Sequence, residues 1–150
     1  MKTIIVYAST HHGNTRKLAE AIAKQDNVEL VDVIKQEQYD LSGYDLIGVA
    51  SGIAFGKYYP QMLSFLEKNL PAGKDVFFIH TAGDTREKHV DSVKSISLEK
   101  NCRCHGVYFC KGFDTYGPFK IIGGINRHRP DETDIDKAIR FYKGVKADIG

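Results

Sequence analysis

Apolar positions along the chain follow two rhythms that take turns. Residues 2–8, KTIIVYA, form an unbroken run rich in β-branched side chains, the pattern of a strand covered on both faces. Over residues 14–24 the rhythm changes, and Leu18, Ala19, Ile22 and Ala23 recur at helical spacing. Residues 28–34 alternate as a second strand, and residues 44–51, again nearly all apolar, make a third. A helix follows over residues 60–69. Pro60 sits in its first turn, where a missing N–H costs little, and Met62, Phe65 and Leu66 supply the buried stripe. Residues 74–81 are a fourth strand. Residues 84–100 read as a helix with Val90, Val93 and Ile96 facing inward. Residues 105–113 are a fifth strand. The last helix starts near Asp131, an N-cap behind Pro130, and runs through Ile135, Ala138, Ile139, Tyr142 and Val145.

Strands alternating with helices, each strand apolar throughout, predict an α/β fold: a doubly wound parallel sheet between two helical layers. The 150 residues suit a single domain, 1–150, with a core large enough to need no disulfide staples. Residues 114–129 break the alternation. This Gly- and Pro-containing stretch is about as long as a compact domain tolerates, which points to a function or a packed arm. The formal net charge of +2 gives no ground for a nucleic-acid or membrane partner. No apolar run approaches the length of a membrane span or a secretory signal. The three cysteines, Cys102, Cys104 and Cys110, are therefore expected to be reduced thiols of a cytoplasmic protein.

Ligands of open parallel sheets collect beyond the carboxyl ends of the strands, which singles out loops 9–14, 51–59 and 81–85. The first, within YASTHHGNT, runs from a buried strand into a helix N-terminus, where unpaired N–H groups favour an anion. Ser9, Thr10, Asn14 and Thr15 add neutral hydrogen-bonding groups, and Gly13 lets the backbone approach closely. This suits a phosphate monoester held without a covalent bond. A Walker loop would need a lysine here, and a dinucleotide fingerprint would need three glycines. A low-molecular-weight phosphatase would need a cysteine, and a phosphoacceptor domain would need acidic residues where Ser9-Thr10 and Ala50-Ser51 stand.

On these residues the chain resembles the flavodoxin family, whose first loop has the form Ser/Thr-x-Thr-Gly-x-Thr. STHHGNTRKLA (Ser9 to Ala19) is similar to it, with His11-His12 in place of a shorter insert. GFDTYGPFKIIGGINRHRP also looks like the C-terminal arm of a subgroup of short flavodoxin-like proteins. The resemblance spans the whole chain and implies a five-stranded sheet in the order 2-1-3-4-5 with flavin mononucleotide (FMN) as cofactor. It implies that Ser9, Thr10, His11, His12, Gly13, Asn14 and Thr15 hold the phosphate. Ser51, Gly52, Ile53, Ala54, Phe55, Gly56 and Lys57 would line one face of the ring, with Tyr58 and Tyr59 as further aromatic candidates. Thr81, Ala82, Gly83 and Asp84 would meet its pyrimidine edge. Gly52 and Gly56 can reorient a peptide near the ring at little steric cost. The loop after strand four lacks a stacking aromatic; either Tyr116 from the long arm substitutes or that face stays open. Flavodoxins are usually strongly acidic; this chain is slightly basic.

The resemblance implies one-electron transfer between redox partner proteins, with no acid, base or nucleophile required of the chain. The alternative is an FMN-dependent oxidoreductase of a small substrate, of the quinone or porphyrinogen class, with residues 113–129 as a roof. A third reading is a binding module that kept the fold and lost the flavin; the hydroxyl loop argues against it. Adjacent His11 and His12 project differently and have no evident third ligand, so a place near the phosphate suits them better than a metal. Cys102 and Cys104 are not spaced as a C-x-x-C redox pair and read as ordinary thiols near the surface, while Cys110 belongs to the core. Arg127, His128 and Arg129 form a basic cluster, and Arg86, Lys88 and His89 follow the third loop. Asp84 and Asp114 lie near strand ends, where capping a helix or turn is the common use.

Overall fold

In the computed structural model, which describes residues 1–113 and 124–150, the apolar runs become strands of one sheet. β1 (Thr3–Ala8), β2 (Glu29–Asp32), β3 (Leu46–Ala54), β5 (Asp75–Ala82) and β6 (Arg103–Lys111) pair in parallel. Their order is β2-β1-β3-β5-β6, so the long strands take the expected arrangement. The two-residue β4 (Lys57–Tyr58) is an addition, folded back antiparallel on the end of β3. Between them Phe55 and Gly56 both have positive φ, 54° and 77°. A two-residue hairpin with this left-handed pair matches the twist of its strands; Gly56 adopts it freely, whereas Phe55 is strained there.

Strand alternation sorts the core into two layers. Ile4, Val6, Ile47, Val49, Val76 and Phe78 face α2 (Pro60–Asn69) and α3 (Asp91–Glu99), meeting Met62, Phe65, Leu66 and Val93. Ile5, Tyr7, Leu46, Phe77 and Ile79 face α1 (Asn14–Asp26) and α4 (Glu132–Ile149), meeting Leu18, Ile22, Ala138 and Tyr142. Both faces are covered, which is why the strands read as uniformly apolar. Each fully buried Leu, Ile or Phe is worth about 1.5–3 kcal/mol. Gly48 makes room for Phe77: a Cβ there would lie 2.4 Å from Cζ of that ring.

The structure corrects three expectations. No helix joins β2 to β3 among the described residues. The Asp32 carboxylate accepts from the Ile34 N–H and its carbonyl from the Gln36 N–H, so the chain turns at once. The helix expected over residues 84–100 begins only at Asp91, behind a 3₁₀ turn at Glu87–Val90. Arg86 ahead of it is extended (φ −141°, ψ 141°), and its carbonyl accepts from the buried His80 ring. Cys102 is buried, its Sγ donating to the Pro71 carbonyl at 3.4 Å, rather than lying near the surface. Cys104 is half-buried, Cys110 is in the core, and all three are free thiols. At α4 the expected N-cap is present as a capping box: Asp131 and Asp134 each accept from the other's backbone N–H at 2.9 Å. Among the described residues no helix is long and apolar enough to cross a membrane.

Candidate functional site

The carboxyl ends of β1, β3 and β5 enclose a cleft. Thr10, Asn14 and Thr15 come from the first loop, and Gly52, Ile53 and Tyr59 from the second. Thr81, Ala82 and Gly83 come from the third, and Phe113 from the end of the strand beside it.

The first loop reverses through a 3₁₀ turn, His11–Gly13, in which consecutive His12 (φ 78°) and Gly13 (φ 64°) are left-handed. Gly13 does this without cost; a non-glycine residue there carries strain of order 1 kcal/mol. The His12 ring stacks on Phe113, centroids 3.9 Å apart and planes within 20°, and this contact helps hold the conformation. Helix α1 opens at Asn14 with no side-chain cap from Gly13, but Ser9 Oγ reaches forward to accept from the Arg16 N–H at 3.2 Å. Thr15 is buried, and its hydroxyl shares a 2.8 Å hydrogen bond with that of Thr81. Thr10 Oγ1 donates to Tyr59 Oη at 3.1 Å. Asn14 Nδ2 donates to the Phe113 carbonyl at 2.9 Å, whereas its Oδ1 is buried with no hydrogen-bond partner among the described residues. Hydroxyls, a helix N-terminus and a spare buried acceptor can hold a phosphate monoester joined to a hydroxylated chain: donors for the anion, an acceptor for a hydroxyl.

The second loop is fastened from beneath. Ser51 is fully buried; its Oγ donates to the Gly52 carbonyl at 2.7 Å and accepts from the Tyr59 N–H at 3.1 Å, closing the hairpin. Tyr59 lies over Gly52 so closely that a Cβ there would meet its Oη at 2.5 Å. Next to it Tyr58 Oη is 3.0 Å from His80 Nδ1, and His80 Nε2 is 3.0 Å from the Arg86 carbonyl. A carbonyl can only accept, so Nε2 carries the proton, Nδ1 accepts, and Tyr58 donates. Burial holds this chain neutral: it pushes the His80 pKa down to about 4 and the Tyr58 phenol well above its usual value. The His80 ring is stacked on Phe109, centroids 5.1 Å apart with planes 5° apart. Tyr58–His80–Arg86 is thus a buried strut that ties the second loop to the third.

Of the residues singled out from the sequence, Thr10, Asn14, Thr15, Gly52, Ile53, Thr81, Ala82 and Gly83 meet in the cleft. Ser9 caps α1 and Ser51 points into the core, so both shape the loops from outside the cleft wall. Ala54, Phe55, Gly56 and Lys57 form the neighbouring hairpin, with Phe55 wholly exposed at its tip. Asp84 faces solvent and pairs with Arg86 at 3.1 Å. Tyr116 and the His11 side chain lie outside the described residues. Sequence reasoning missed the part taken by Phe113 and left the His80 strut unread. The one signal for Phe113 was its place at the end of the strand beside the third loop.

The family model described as a flavodoxin domain matches residues 4–108. An uncharacterized protein of Methanocaldococcus jannaschii is 39% identical over 97% of this chain and 98% of its own length. Among solved structures, a flavodoxin from the domain Archaea covers 97% of this chain and 99% of its own, at 22% identity and a TM-score of 0.63. A flavoprotein from Lactobacillus acidophilus, solved in complex with FMN, covers 72% of this chain and 92% of its own, at 20% identity and a TM-score of 0.55.

Proposed function

This chain belongs to the flavodoxin family, and from that premise we propose that it binds one FMN in the cleft and serves as a one-electron carrier between redox proteins. The observation that carries this reading is the first loop: neutral hydroxyls at the N-terminus of α1 beside the buried Asn14 Oδ1, which has no partner among the described residues. That donor and acceptor set fits a phosphate monoester on a polyol chain. FMN, when bound, supplies the one-electron chemistry. Thr10, Thr15 and the first N–H groups of α1 hold the phosphate side, and Asn14 takes a hydroxyl. Gly52, Ile53, Tyr59 and the Thr81–Ala82–Gly83 backbone line the ring side. Phe55 on the adjoining hairpin is the exposed apolar group available to cover a flat ring. The strut fixes the two ring loops relative to each other, so that little reorganisation accompanies electron transfer. Among the described lining residues the only titratable side chain is the Tyr59 phenol, which suits a carrier better than an acid–base catalyst.

A small-substrate reductase is the second reading, favoured by one feature. Both flanks of residues 114–123 reach the cleft: Phe113 lines it, and Asn126 Nδ2 donates to the Gly83 carbonyl at 3.1 Å. Titrating FMN into the apoprotein tests the site. Flavin fluorescence should be quenched at one equivalent, and the double variant Thr10→Ala/Thr15→Ala should bind about 100-fold more weakly, as expected for two hydrogen bonds to a charged group. Unchanged affinity in the variant would mean that the loop is misassigned. Steady oxidation of a nicotinamide with a small acceptor, and without a partner reductase, would favour the second reading.

A further inference from the structure

We infer that the carboxyl edge of the sheet, on its α2 and α3 side, is a docking surface for an acidic redox protein. The inference rests on the carrier reading, because a carrier must present its cofactor end to a partner. Strand register assembles the surface. Lys57 stands on the hairpin that prolongs β3, and Lys111 pairs with Ala82 at the end of β5. β3 and β6 both flank β5 in the sheet, so the two lysines stand at the same, carboxyl end of it. Lys111 shares its strand face with Phe109, which stacks on His80, and so faces the α2 and α3 side. Lys88 belongs to the 3₁₀ turn that follows Arg86, which the strut fastens to β4. Arg127 follows Asn126, whose side chain is bonded to the third loop. All four side chains belong to exposed residues, and none is ion-paired among the described residues.

The opposing charge on this side is small. Asp84 is already occupied by Arg86, which leaves Glu87 and, in the first turn of α3, Asp91. Arg129, beside Arg127, is taken by Asp134 and Asp131 and adds nothing free. Cations gathered at one edge add their fields, which attract an acidic surface and repel a basic one. The chain's small net charge of +2 therefore conceals a positive edge.

Two probes of opposite charge test this: plastocyanin, a small acidic copper protein, and cytochrome c, a basic haem protein. In stopped-flow mixing, FMN-loaded protein is reduced beforehand with dithionite. One electron then passes from the flavin to Cu(II) or Fe(III), leaving Cu(I) or Fe(II). The rate with plastocyanin should fall at least about tenfold between roughly 0.02 and 0.3 M salt, and the rate with cytochrome c should stay flat or rise. Lys88→Glu/Lys111→Glu, neither residue in the cofactor site, should reverse the two salt trends while FMN affinity is unchanged. A falling rate with cytochrome c, or salt-independent rates with both acceptors, would overturn the inference. Failure of the FMN reading is separable. In the apoprotein, adding redox-inactive plastocyanin at low salt should shift the amide resonances of Lys57, Lys88 and Lys111. No shift there refutes the docking surface whether or not flavin binds.

Discussion

The two ends of the sheet are built to opposite rules. At the amino end several charged groups hold the elements together in pairs. Asp75 takes a bidentate pair from Arg103, at 2.7 and 3.1 Å, and a third bond from His105 at 2.7 Å. Asp26 accepts from Tyr142 at 2.6 Å and from Lys146, joining α1 to α4. Lys100 Nζ donates to the Glu67 and Leu70 carbonyls and so closes the C-terminus of α2. At the carboxyl end His12, Gly13, Phe55 and Gly56 are left-handed, Phe55 is fully exposed, and Asn14 Oδ1 is buried without a partner among the described residues. Such features persist only where the surrounding fold over-determines them, and they mark the end that meets a ligand. The strut and the Ser51 staple do that determining from below.

The sharpest way to break this contrast is through the strut's buried imidazole. His80 titrates near 6.5 when unfolded and about 4 when folded, so the unfolded state binds more protons between those values. Stability is full above the unfolded pKa and should fall by about 3 kcal/mol as pH drops through the window from 6.5 to 4. Burial also pushes down His89, 5.5 Å away, which adds in the same direction. Urea unfolding of His80→Gln, which keeps a donor and an acceptor but cannot be protonated, should show a much flatter slope there. An unaltered slope would remove His80 from the account. Next in size, Gly13→Val forces a β-branched residue into the left-handed region. FMN affinity should drop by about 100-fold, with the global fold intact by circular dichroism.

A smaller effect is expected of Tyr58→Phe, which removes one hydroxyl and leaves His80 Nδ1 unpaired, at about 1–2 kcal/mol. The flavin potentials should shift along with FMN affinity; a loss of melting temperature with affinity and potentials unchanged would reduce the strut to mere scaffolding. The smallest effect belongs to the amino end. Asp75→Asn should cost about 1 kcal/mol at neutral pH and leave FMN affinity alone. Arg103, and less strongly His105, hold the Asp75 carboxyl below its usual pKa. Its contribution is therefore present at neutral pH and lost as pH falls below the ordinary aspartate value and on through the lowered folded one, so the gap between variant and parent should narrow in acid. A change in FMN affinity would erase the distinction between the two ends.

How far the sequence could be read follows from the range of the interactions. Strand runs such as KTIIVYA and the spacing of Leu18 and Ile22 are local patterns, and they led to the right layers, while the strand order came with the resemblance to the flavodoxin family. The Asp131 cap was legible because it is a local motif with Asp134. The short β4 was not, since its turn carries Phe55 where Asn or Gly is usual. The start of α3 was misread because it is set by His80 capturing the Arg86 carbonyl, a contact that no helical periodicity records. In the cleft, the hydroxyl loop was visible in the residues themselves. Phe113 and the inward turn of Ser51 depend on which strands become neighbours, and that appears only once the sheet is assembled.

One measurement bears most directly on the claim that the open end serves a one-electron carrier: an anaerobic potentiometric titration of the FMN-loaded protein, followed by flavin absorbance. A carrier of this kind should give two well-separated one-electron couples. A single two-electron couple would contradict the account.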